Sequence, residues 1–158
     1  MKRGVLFLMA LASVAAVAGA YLSQHRWGME PCPWCVLQRI LFLVIGAISL
    51  IGALLPQRWA QVGAGVLVMP VAAGGMAAAW YQHFVAAKSA SCNLTFADKV
   101  IGTFGLDARW PDMFEVRANC ADAAVNLLGV PYEFWSLALF VMLAGAALWV
   151  IRAARRNA

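Results

Sequence analysis

The sequence predicts an all-α membrane protein: a four-transmembrane-helix bundle with two loops on its outer side, the second long and holding short interfacial helices. Three observations lead there. The 158 residues are 64% hydrophobic and only 12% charged, about half the charge of an ordinary soluble domain, and the mean hydropathy is +0.77. Four apolar runs are each long enough to cross a bilayer. The basic residues gather at the termini and at one tight turn rather than spreading over a surface. The whole chain reads as one integral membrane domain, with spans at about 4–22, 34–55, 59–80 and 132–151 and loops at about 23–33 and 82–131.

The first run follows Lys2 and Arg3 and holds nothing more polar than Ser13. Ala18-Gly19-Ala20 resembles the small-residue cleavage site of a signal peptide, but the run exceeds a signal core in length and favours a span. A polar loop, residues 23–30, delivers the chain to Cys32-Pro33-Trp34-Cys35. The second run is interrupted by Gln38, Arg39 and Ser49, and Pro56-Gln57-Arg58 turns it into the third. The third is rich in small residues, including Gly63, Gly65, Gly74 and Gly75, which let helix backbones approach closely in lipid. Pro70 removes one backbone N–H from it. In the long polar segment that follows, Val100, Ile101, Phe104 and Leu106 are spaced to form an apolar face lying in the membrane interface. The fourth run ends in Arg152, Arg155 and Arg156.

The charges orient the bundle. Lys2, Arg3, Arg58, Arg152, Arg155 and Arg156 are six of the 12 basic residues, and none of the 7 acids lies among them. Short loops rich in Lys and Arg stay in the cytoplasm. Both termini are therefore expected inside, and all four cysteines outside, on periplasmic loops if the host is a bacterium, where disulfides persist. Trp27, Trp34, Trp59, Trp80, Trp135 and Trp149 fall near span ends, as an interfacial aromatic belt requires. The net charge of +5 is thus a topology signal. Aromatic–basic interleaving along one face is missing, so nucleic acid is set aside as a partner.

Chemistry centres on the Cys-x-x-Cys pair. Pro33 fits the first turn of a helix, which places Cys35 at its positive end with Arg39 one turn on. That environment favours thiolate over thiol. With Cys92 and Cys120 in the second loop, four cysteines allow three pairings. They suit structural disulfides, a zinc site or an electron relay by thiol exchange. A two-residue ring is a poor staple by loop entropy, and zinc lacks its customary second Cys-x-x-Cys. A relay needs a sink for electrons, and the chain has no dinucleotide fingerprint. A membrane quinone beside Cys35 is the nearest one. Arg39, costly inside a span, is the candidate to hold a quinone oxygen and the Cys35 thiolate, unless it only snorkels to headgroups. His83, at the end of the third run, is a candidate to line the same pocket or relay a proton. His25 reads as solvated. No metal site is expected. The rival from another class is a disulfide-stapled tetraspan scaffold without redox turnover.

These residues resemble the disulfide-bond formation protein B (DsbB) family, bacterial inner-membrane thiol:quinone oxidoreductases. The resemblance covers nearly the whole chain. It rests on Pro31-Cys32-x-x-Cys35 followed by Arg39, on Tyr81-x-His83 ending the third run, on Cys92 and Cys120, and on Gly129-Val130-Pro131 leading to Trp135. It implies that Cys35 contacts ubiquinone or menaquinone with Cys32 as its partner. It also implies that Cys92 forms the mixed disulfide with a periplasmic, thioredoxin-like oxidase of the DsbA type. Cys120 would pair with Cys92 at rest and with Cys32 during turnover, and Arg39, with His83, would hold the quinone. Vitamin K epoxide reductase-like enzymes run similar chemistry, but with the loop pair ahead of the Cys-x-x-Cys. Two departures stand out: the inner dipeptide Pro33-Trp34, and Gln38 where an acid is expected.

Overall fold

The structure, a computed structural model, describes residues 1–88 and 95–156. Four long helices carry the described residues: α1 (Lys2–Trp27), α2 (Pro33–Leu54), α3 (Arg58–Phe84) and, after a 3-10 turn at Ala86–Lys88 and short α-helices, α7 (Tyr132–Arg156). All four are long and apolar enough to cross a membrane. Between α3 and α7 lie α4 (Phe96–Phe104), α5 (Leu106–Arg109), α6 (Pro111–Phe114) and a hairpin of β1 (Asn126–Leu127) and β2 (Val130–Pro131).

The helices form a ring in the order α1, α2, α3, α7. The α3–α7, α1–α2 and α2–α3 seams are extensive, and the closing α7–α1 seam is the loosest. Small residues explain the tight seams. A Cβ added at Gly75 would collide with the Phe140 ring, one at Gly65 would lie 2.8 Å from Ile151, and one at Gly52 would lie 2.5 Å from Ala64. Phe140, fully buried, also stacks on Phe42 with centroids 4.0 Å apart. Gly63 and Gly74 have open space and take no part in these seams. Pro70 is on the exposed side of α3.

Three expectations need correction. Residues 23–27, read as loop, continue α1 as helix until Gly28 adopts φ 63° and ends it. Ser23 and Gln24 are buried there against the bundle, so their polarity marks a site rather than a loop. Of the proposed interfacial face, Val100, Ile101 and Leu106 pack onto the buried clusters around Cys32 and Val36, and only Phe104 points out. Trp34 is buried against Tyr81 rather than standing in an aromatic belt; the other five tryptophans of that set are exposed.

Candidate active site

The site is built from the start of α2. Pro33 occupies the first turn, and Cys32 is the N-cap, its sulfur accepting the N–H of Cys35 at 3.3 Å. A thiol thus does the work that Ser or Asp does at an ordinary N-cap, and the capping geometry fixes the two sulfurs 2.9 Å apart. The second loop brings Cys120 to them. The backbone N–H groups of Arg117 and Ala118 both donate to the Pro31 carbonyl. The Asn119 side chain accepts from the N–H groups of Ala121 and Asp122 and closes a turn around Cys120. Cys120, Cys32, Trp34 and Ala97 then share one buried cluster. Cys92, expected in this relay, lies outside the described residues.

Cys32 is the central sulfur of three. Its thiol shares hydrogen bonds with the Cys120 and Cys35 sulfurs and is buried, which holds it far above the ordinary range. Cys120 is lowered, chiefly by its hydrogen bond with Cys32 and also by the Trp34 backbone N–H, with burial opposing.

Cys35 stands at the wall of a cavity of about 390 Å³ among α1, α2, α7 and the hairpin, on the loose α1–α7 seam. Ala16, Val17, Phe42 and Leu139 make its apolar floor, and Leu127 and Trp135 stand at its hairpin side. The indole N–H of Trp135 reaches the Leu127 carbonyl at 3.3 Å, which pins the hairpin to α7. Leu128 and Gly129, φ 56° and 80°, make the two-residue turn that this hairpin needs.

Arg39 lies on the same wall and is only 5% exposed. Its Nη1 donates to Gln24 Oε1 at 3.0 Å and to the Met113 carbonyl at 2.8 Å, and its Nη2 to the Ala20 carbonyl at 3.3 Å. All these partners are neutral. Among the described residues no carboxylate is in ion-pair range of the guanidinium. A buried cation without a counter-ion is costly unless a ligand or a thiolate completes it.

His83 is placed elsewhere. Its Nδ1 is 2.6 Å from Glu133 Oε1, a pair that ties α3 to α7, and it is not among the residues lining the cavity. His25 is exposed, its ring against Tyr21. Sequence reading missed Gln24, Gln82, Glu133 and the Met113 carbonyl. Gln38 Nε2 donates to Gln82 Oε1 at 2.7 Å, and Gln82 Nε2 donates to Cys35 Sγ at 3.2 Å. Buried amides at the ends of apolar runs were the available signal.

The fold and site define a multi-pass membrane protein with three cysteines gathered at one end of the bundle. Comparison with known proteins gives the family. The family model for disulfide bond formation protein DsbB matches residues 2–150. Disulfide bond formation protein B of Herminiimonas arsenicoxydans is 30% identical over 90% of each chain. The protein of that name from a Polaromonas strain is 34% identical over 99% of this chain and 95% of its own, and that from an Azoarcus strain is 34% identical over 95% and 93%. The chain belongs to the DsbB family. It is a bacterial membrane oxidoreductase of disulfide bond formation.

Proposed function

We propose that the chain oxidises the dithiol of a periplasmic, thioredoxin-like donor of the DsbA type and passes the electrons to ubiquinone or menaquinone. The observation that carries this reading is the apolar cavity whose wall presents both the Cys35 sulfur and an uncompensated Arg39 guanidinium. Those features fit a quinone head group: apolar walls for the ring and a cation for a carbonyl oxygen. A bound quinone would supply the two-electron sink.

The protein's part is thiol–disulfide exchange. A donor thiolate attacks a Cys92–Cys120 disulfide at Cys92, which forms a mixed disulfide and frees the Cys120 thiolate. Cys120 then attacks a Cys32–Cys35 disulfide at Cys32, and Cys35 leaves as a thiolate beside Arg39. The donor's second thiol displaces Cys92, leaving the donor oxidised. Cys92 takes Cys120 back and frees Cys32. The net result is a donor disulfide, a reduced Cys32/Cys35 pair and a restored Cys92–Cys120 disulfide. Reoxidation of Cys32/Cys35 delivers two electrons and two protons to the quinone. The contact of Cys120 with Cys32, and of Cys32 with Cys35, supports this order. The lowered Cys120 suits it both as leaving group and as the attacking thiolate.

The test is quinone reduction by the purified protein with a reduced thioredoxin-like donor, followed with the visible spectrum of the lipid-extracted protein. One quinone should be consumed per donor disulfide formed, and a thiolate–quinone absorbance band should vanish in Cys35→Ala. Cys32→Ser, Cys35→Ser, Cys92→Ser and Cys120→Ser should each abolish turnover. Full turnover without Cys35 would sink the proposal.

A further inference from the structure

The Cys35 sulfur has a polar neighbour that the exchange steps leave unexplained. Gln38 on α2 and Gln82 on α3 are both buried, and they meet in a chain of two hydrogen bonds that ends on Cys35 Sγ. An amide is nearly symmetric in shape but not in polarity, since one end accepts and the other donates twice. With Gln38 Nε2 occupying Gln82 Oε1 at 2.7 Å, the Gln82 N–H groups are left to face the sulfur.

We propose that Gln38 and Gln82 form a directional amide relay that holds an N–H on the Cys35 sulfur and stabilises its anion. Gln82 is then a catalytic residue, because it touches the reacting atom, and Gln38 is a positioning residue. The inference deepens the proposed function and rests on its reading of Cys35 as the sulfur released beside the cavity.

Two physical reasons favour a neutral relay here. Burial disfavours a thiolate, and hydrogen bonds to the charged form offset that. A carboxylate at either position would set a second negative charge next to the sulfur anion and would compete with it for Arg39. A pair of amides supplies the donor without adding charge, so the guanidinium stays available to the cavity that Gln38 itself lines.

The test uses the full-length protein in detergent with Cys35 as its one cysteine (Cys32→Ser, Cys92→Ser and Cys120→Ser). Iodoacetamide alkylation of Cys35 is followed by mass spectrometry from pH 5 to 10. Gln82→Met keeps side-chain volume and removes the N–H, so the midpoint of the alkylation–pH profile should move up by about one pH unit, with alkylation about tenfold slower below the parent's midpoint and recovered at high pH. Gln38→Met leaves the contact on sulfur intact but frees Gln82 to turn, and should move the midpoint up by about half a unit, about threefold slower below it. If Gln82→Met does not fold, Gln38→Met alone carries the test. An unchanged or lowered midpoint in either folded variant overturns the relay. Failure of the quinone reading looks different: the parent shows no quinone-dependent absorbance, while the alkylation profiles still decide the role of the amides.

Discussion

At the scale of single residues, the site works by giving three sulfurs different environments. Cys32 sits between the two other sulfurs and is held far above the ordinary thiol range, whereas Cys120 is lowered. The sign follows directly. A lowered group is a thiolate at a pH where a raised one is still a thiol, and the thiolate is the nucleophile. In reduced Cys92→Ser protein at pH 7.5, iodoacetamide should therefore label Cys120 at least about tenfold faster than Cys32, with the difference erased in denaturant. Equal labelling of the folded protein would refute the assignment. Arg39 is the second residue with a defined cost. Arg39→Met should keep the helix and weaken quinone affinity by about tenfold to a hundredfold, the worth of a hydrogen bond to a charged group. Titration with a water-soluble quinone would measure it. The Cys-x-x-Cys pair, Pro33 and Arg39 were legible in the sequence, because each departs from its surroundings in a way local physics explains. Gln82 and Gln24 were not. A glutamine at the end of an apolar run looks like the edge of a loop until its partners across the bundle are seen.

At the scale of elements, α2 begins where Pro33 allows it and carries its own capping thiol, so its start was readable. The glycines of α3 were readable as a class but not one by one. Gly75 meets Phe140, and Gly74, its neighbour, meets nothing. Gly75→Ala should lower stability by about 1–3 kcal/mol, as overpacking does. Gly74→Ala should be neutral or slightly stabilising through helix propensity. Thermal unfolding of both variants in one detergent checks the pair, and equal losses would mean that the α3–α7 seam does not depend on Gly75. The apolar residues of α4 show the same divide. Their spacing marks an amphipathic helix, but whether the face meets lipid or protein depends on what stands beside it, and here Val100 and Ile101 meet the bundle.

For the whole molecule, orientation and architecture come from different sources. The six basic residues at the termini and the Pro56 turn are the sequence's argument for a cytoplasmic end by the positive-inside rule, the orientation that the proposed function requires. Gln57→Cys in an otherwise cysteine-free chain should resist a maleimide that cannot cross the inner membrane, whereas Cys120 kept alone, once denaturation is confined to the outer face, should react. Labelling at position 57 in intact cells would invert the topology. Span number, membrane class and the start of α2 at Pro33 were determined by the sequence alone, because hydropathy, charge placement and first-turn chemistry act within a few residues. The tertiary structure decided what distance along the chain conceals. It leaves the α1–α7 seam loose enough for a cavity, brings Cys120 across 88 residues to Cys32, surrounds Arg39 with neutral acceptors and pairs His83 with Glu133 away from that cavity. Each depends on which helix faces touch, and that is set by packing rather than by local pattern.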